Sequence, residues 1–224
     1  MCGRFTQERS SSELAEIFEA EDLAELEGDR FNVAPTDEAN VIVQRSERRA
    51  VTRYRWGLIP HWADDPRIGS KMFNARAETL ARSPAFRDAF ARKRCLVPVD
   101  SFYEWRREGN LRVPFRVVRD DGRPLTLAGL WAGWRDDDTG EIRRTFTIVT
   151  SGPNSLMRPI HNRMPVVVPP EAWERWLDPS LSNPAQLQGL LQPIEDDHLE
   201  AYEVSRLVNN VRNDGPDLIE RLTA

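Results

Sequence analysis

The sequence predicts an α+β fold with a mostly antiparallel core. Many short strand-like segments follow one another with no helix between them, whereas parallel strands need a helical crossover at nearly every step. The helical segments are few and short. With 224 residues, 40% hydrophobic and 30% charged, the composition fits one globular domain spanning residues 1–224. No internal repeat, low-complexity tract or long linker divides it.

Taken in chain order, Ser10-x-x-Glu13 reads as a capping box, and Leu14, Ile17 and Phe18 follow at helical spacing, so a helix is expected near 11–26. Val41, Ile42 and Val43, then Thr52, Tyr54 and Trp56 alternating with Arg53 and Arg55, predict strands over 41–56. Ser83-Pro84 reads as an N-cap with Pro at the first helical position, and Phe86 and Phe90 supply an apolar face. Strands are expected at 95–99, 101–106, 113–118, 125–132 and 145–150, with turns at Glu108-Gly109-Asn110, Asp120-Asp121-Gly122 and Asp136 to Gly140. Pro170 opens a helix bearing Trp173, Trp176 and Leu177, and Asn183-Pro184 opens another bearing Leu187, Leu190 and Leu191. A strand at 199–205 and an irregular tail complete the reading.

The formal net charge is −5, but it is unevenly spread. Residues 1–40 carry 3 basic and 11 acidic side chains, residues 41–176 carry 25 and 16, and residues 177–224 carry 3 and 9. A basic middle between acidic ends permits contact with a polyanion. Only Lys71 and Lys93 among the 31 basic residues are lysines, and guanidinium forks suit bidentate contact with phosphate. A genome rich in G and C would produce the same bias. No stretch approaches the ~20 apolar residues that cross a bilayer, and no secretory leader opens the chain, so a soluble protein without a membrane partner is expected. Cys2 and Cys95 form neither a disulfide framework nor a CxxC or Cys/His cluster, so no metal or other cofactor is expected.

Seven positions carry possible chemistry or contact. Initiator Met is generally removed when the second residue is small, and Cys2 would then bear a free α-amine beside its thiol. Such a 1,2-aminothiol condenses with an aldehyde, the amine forming a Schiff base and the thiol closing a five-membered thiazolidine. With reference pKa values of about 7.7–8.0 for the amine and about 8.5 for the thiol, neutral amine is present near pH 7. Glu104 alternates with aromatics in Asp100-Ser-Phe-Tyr-Glu-Trp105, where burial would suit it to acid/base work and a salt bridge to Arg is the simpler role. His161, in Arg158-Pro-Ile-His-Asn-Arg-Met-Pro165, suits proton transfer or plain structural duty. Asn74 and Arg76 lie in a polar stretch, Met72 to Thr79, too irregular to read as helix or strand; the side chains suit a sugar or amine and a phosphate. Trp56 and Trp62 flank a Gly/Pro turn and offer either a stacking edge for unpaired bases or core material.

Together these segments closely resemble the SOS response-associated peptidase (SRAP) family. The resemblance rests on MCGRF at 1–5, FNVAPT at 31–36, RWGLIPHWA at 55–63, NARAET at 74–79, VDSFYEW at 99–105, IHNRMPV at 160–166 and VNNVRND at 208–214, in family order. It implies a curved, barrel-like antiparallel core with short peripheral helices, and single-stranded DNA containing abasic sites as partner. Cys2 would be the covalent nucleophile, Asn74 and Glu104 would flank the reacting sugar, and His161 would assist proton transfer. Arg4 and Arg76 would contact DNA or support the site, with Trp56, Trp62, Trp105, Arg158 and Arg163 completing the DNA-binding set. The family name further implies a peptidase activity, such as release of Met1. A monomer in the cytoplasm, on the nucleoid when bound to DNA, is expected if the source is bacterial. The acidic loop 135–141 and the helical insert near 180–192 are where family geometry transfers least.

Two other readings fit parts of the sequence. Ntn-type glutamine amidotransferases also begin Met-Cys-Gly and use Cys2 as nucleophile, but they normally carry a second synthase-like domain. A passive single-strand binding module would use the same Arg and Trp residues without chemistry.

Overall fold

The structure is a computed structural model describing residues 2–25, 28–192, 194 and 198–222. Its centre is a closed ring of five strands: β4 (Glu38–Arg45), β5 (Arg48–Trp56), β7 (Arg94–Val99), β10 (Leu125–Arg135) and β11 (Ile142–Ser151). Neighbours pair antiparallel around the ring from β5 through β4, β7 and β10 to β11. An odd ring cannot alternate direction all the way round. The closing contact, β11 with β5, is accordingly parallel and short, with Thr145 opposite Arg55 and Phe146 opposite Trp56. At the ring's margins, β2 (Ala20–Asp22) adds parallel to β5 and β12 (Met164–Pro165) antiparallel to β11.

A second, five-stranded sheet packs against this ring in the order β13 (Leu199–Glu203), β9 (Leu111–Arg119), β8 (Ser101–Glu108), β1 (Phe5–Gln7) and β3 (Arg30–Val33). Alternation explains how the parts share one core. Val41, Val43, Trp56, Val97 and Phe146 join Cys2, Phe5 and Phe102 in one buried cluster, and the Phe5 and Trp56 rings lie 4.8 Å apart. The intervening Ile42, Val51, Leu96 and Leu130 form a second cluster. It is covered by α1 (Ser11–Phe18), α2 (Arg87–Arg92), α3 (Trp173–Leu177) and α4 (Pro184–Gly189). A ring buried on both faces accounts for the uninterrupted run Val41-Ile42-Val43.

Local signals and tertiary demands divide the helices between them. Both halves of the Ser10/Glu13 capping box form, but α1 stops at Phe18 rather than near 26. Glu19 takes a left-handed conformation there, and residues 20–22 are drawn into the sheet beside β5. Leu26 lies outside the described residues. The Ser83-Pro84 signal makes a turn instead of a cap, because Ser83 O accepts from the N–H groups of Phe86 and Arg87 and the helix starts only at Arg87. Asn183 does cap α4, accepting from the N–H groups of Ala185 and Gln186.

The loop leaving β5 places the site. Gly57 has φ +126°, and its N–H donates to Phe146 O at 2.7 Å. The chain then runs out and returns as β6 (Asn74–Arg76), parallel to β11 with Ile148 opposite Asn74. A methyl group on Gly57 would lie 2.5 Å from Gly69 O. Gly57→Ala is therefore expected to cost about 1–3 kcal/mol from the backbone alone, beyond the collision. An unchanged urea midpoint would show that the loop accepts another path.

Candidate active site around Cys2

β8 positions the residues that surround Cys2. β1 pairs with β8 through Thr6 opposite Ser101 and Phe5 opposite Phe102, and the N–H of Tyr103 donates to Arg4 O at 2.9 Å. This register runs residues 2–4 alongside the stretch that contains Glu104. Cys2 is fully buried, its thiol 3.9 Å from Arg4 O. β6 approaches from the other side, and Asn74 Nδ2 donates to Cys2 O at 2.6 Å. Asn74 Oδ1 is buried and has no hydrogen-bond partner among the described residues. Residues far apart in the sequence thus meet: positions 2, 74 and 104 lie together.

Glu104 is 2% exposed, and burial raises its pKa above the usual carboxylate range, with the nearby His161 pulling against the shift. Cys2 is affected in the same sense. Burial pushes the thiol up, and the Glu104 carboxyl adds to the effect. His161 Nδ1 lies 3.9 Å from Glu104 Oε1 and accepts the N–H of Arg163 at 3.1 Å. The same Nδ1 lies 3.2 Å from Arg163 O, so the Arg163 backbone can serve either tautomer of the ring. Glu104, Trp105, Ile160, His161 and Asn162 line an open cavity of about 490 Å³, together with Arg107 and Arg112 from the β8–β9 hairpin.

The remaining expected residues fall into four groups. Arg4 is half-buried and supports the site: its Nη1 donates to Asn32 Oδ1 at 2.7 Å and to Val208 O at 2.8 Å, and its guanidinium lies 5.8 Å from the centre of the Trp105 ring. Trp105 in turn donates to Asn209 Oδ1 at 2.6 Å. Arg76, Arg158 and Trp62 are exposed, the last at 49%. Arg163 is partly exposed but engaged, forked onto the Glu78 carboxylate at 2.6 and 3.0 Å. Trp56 requires a correction, because it is fully buried and its indole N–H donates to Phe73 O at 2.8 Å, which leaves no face for a base.

Two parts of the site carry no signal in the pattern of residues alone. Asn32 is buried and binds three carbonyls of the following strap, at Val208, Asn210 and Asn213, while Phe31 N–H donates to Asp214 Oδ1. FNVAPT and VNNVRND are thus two halves of one fastening. Arg107 and Arg112 read only as members of a basic middle.

A model of the family described as "SOS response associated peptidase (SRAP)" matches residues 1–211. The chain belongs to the SRAP family. Abasic site processing protein YoqW of Bacillus subtilis is 42% identical over 98% of this chain and 99% of its own length. Abasic site processing protein YedK of Escherichia coli is 31% identical over 98% and 99%. A crystal structure of a Bacteroides thetaiotaomicron protein superposes with a TM-score of 0.90 at 29% identity, covering 99% of this chain and all of that one. The mostly antiparallel SRAP fold with its barrel core and short helices is therefore the fold of this chain. Among the described residues no group of His, Cys, Asp and Glu has metal-binding geometry, and no helix is long and apolar enough to cross a membrane.

Proposed function

We propose that this SRAP protein processes abasic sites by capturing them covalently on Cys2 in single-stranded DNA. The observation that carries the reading is the convergence of Asn74 and the desolvated Glu104 on Cys2 beside an open cavity. Support for the substrate comes from the relatives named as abasic site processing proteins.

In the proposed reaction, Met1 is removed and the Cys2 α-amine attacks C1′ of the open-chain abasic sugar. Asn74 Nδ2 fixes the Cys2 carbonyl and Oδ1 accepts from the amine or a sugar hydroxyl. The attack gives a carbinolamine, the amine proton passing to the former carbonyl oxygen. Protonated Glu104 then supplies the proton with which that hydroxyl leaves as water, giving an iminium ion. The cation lowers the cost of ionising the adjacent thiol. Cys2 Sγ attacks C1′ as its proton returns to Glu104, closing the thiazolidine. Aldehyde and aminothiol thus become adduct and one water, with Glu104 restored. A raised pKa suits a carboxyl that must begin this cycle protonated. His161 serves sugar ring opening, giving or taking the proton of the hydroxyl. Met1 removal as self-cleavage fits the family description and belongs to the same proposal.

Intact mass spectrometry with abasic single-stranded DNA, without reductant, tests the whole. The expected species has the mass of protein lacking Met1 plus DNA minus one water, with the strand unbroken and the link on Cys2. A product that requires borohydride and disappears with Lys71→Ala, not with loss of Cys2, would instead identify a lysine Schiff base. Lys71 is exposed and lines a different cavity, with Trp62.

A further inference from the structure

We infer that Arg107 and Arg112 form a subsite for a backbone phosphate of the DNA strand whose abasic sugar reaches Cys2; the inference rests on the capture reading above. The two are direct cross-strand partners on β8 and β9, and both line the cavity that Glu104 and His161 open into. Like charges directly opposite on a strand pair are destabilising. Other arginines of these strands relieve their charge locally: Arg106 with Glu108, Arg116 with Glu8 and Arg119 with Asp121. The guanidiniums of Arg107 and Arg112 have no ion pair or side-chain hydrogen bond among the described residues. Opposite each other and therefore on one face of the hairpin, two guanidiniums offer donors that suit the oxygens of one phosphate.

Position favours the strand as the source of that phosphate. β1 pairs with β8 only at Ser101 and Phe102, residues 2–4 run on beside Tyr103 and Glu104, and the rest of β8 towards Arg107 borders the cavity. Glu104 and Arg107 are three residues apart, about 10 Å along an extended strand; alternation turns their side chains to opposite faces of β8, and both line the cavity, which therefore reaches round the strand. A phosphate attached to the captured sugar, or to its neighbour, lies within reach of an arginine at that distance. Among the described residues no carboxylate other than Glu104 lines the cavity, so the anion meets little opposing charge.

The test uses full-length wild type and the double variant Arg107→Ala/Arg112→Ala with single-stranded oligonucleotides containing a tetrahydrofuran abasic analogue. The analogue has no aldehyde, so binding is read apart from capture. One uncharged methylphosphonate replaces each of the two linkages on either side in turn. Wild type should lose about tenfold in affinity at one of these linkages. The double variant should bind natural linkages about tenfold more weakly, be indifferent to that methylphosphonate, and show a salt slope shallower by about 0.7 for one phosphate lost. Its thermal midpoint should be unchanged or raised, since a like-charge pair is gone. Equal methylphosphonate sensitivity in both proteins would overturn the subsite while leaving capture standing. Inorganic phosphate that raises the wild-type midpoint with no methylphosphonate effect would identify a free-anion site and overturn the assignment to DNA. Failure of wild type to capture aldehyde-bearing DNA would refute the capture reading instead.

Discussion

Cys2→Ala protein should form no adduct with abasic single-stranded DNA that survives denaturing electrophoresis, a loss of the entire stable product. Alanine is also small enough for the general removal of initiator Met, so the variant acquires a free α-amine at the same place without self-cleavage, which the intact mass checks. It should still form the Schiff base. Borohydride is therefore expected to restore a crosslink to Cys2→Ala but to be unnecessary for wild type, and this contrast separates thiol from amine within one residue. Non-covalent affinity should persist, because the cationic groups are untouched. Full adduct yield from the variant without reductant would remove the thiol from the reaction. Cys95→Ala is the matched control: Cys95 is also fully buried, but in the ring strand β7, and its loss should leave capture intact.

Glu104→Gln should slow capture by about 10²–10⁴-fold, the range for a lost general acid/base group, because one carboxyl carries the proton for both dehydration and ring closure. The same substitution should stabilise the fold at neutral pH. Glu104 has its folded pKa raised by burial, so the folded state holds the proton more tightly than the unfolded chain. Stability then declines as pH rises from the ordinary carboxylate pKa through the raised one, and below that window the penalty is absent. Glutamine carries no such penalty. The thermal midpoint of Glu104→Gln should exceed wild type at pH 7, by about 2–4 °C for each kcal/mol, with the gap closing in acid. A variant that is slower but no more stable would argue that Glu104 is comfortably ionised in the fold; one that is equally fast would exclude it as the proton carrier.

How much of this was legible in the sequence varied with the distance over which each signal acts. The Ser10 capping box, the Asn183 cap and the strands of β7 through β11 are encoded by neighbours, and the expected segments 95–99, 101–106, 113–118, 125–132 and 145–150 all lie inside observed strands. β6 escaped, since three residues paired to a distant strand show no alternation of their own. The family resemblance named Cys2, Asn74, Glu104 and His161, and their proximity emerges only from pairings across the chain. Trp56 illustrates the converse: its alternation with Arg53 and Arg55 was readable, but which face of β5 would be buried depended on how the ring closed. Nor does charge composition distinguish Arg163, occupied by Glu78, from Arg107 and Arg112, whose guanidiniums have no ion pair among the described residues.

The fastening of Arg4 to the carbonyl of Val208 has a consequence for biosynthesis. The reactive end of the chain leaves the ribosome first, and the strap that completes its surroundings is made 204 residues later. Until then Asn32 has no carbonyls to bind and Trp105 no Asn209 to hold its indole. Joining ends so far apart in sequence is entropically costly and comes late in folding. Under the proposed capture reaction, a nascent or truncated chain would carry the aminothiol without the walls that direct it, and selection of one aldehyde among many would mature only once the strap is in place.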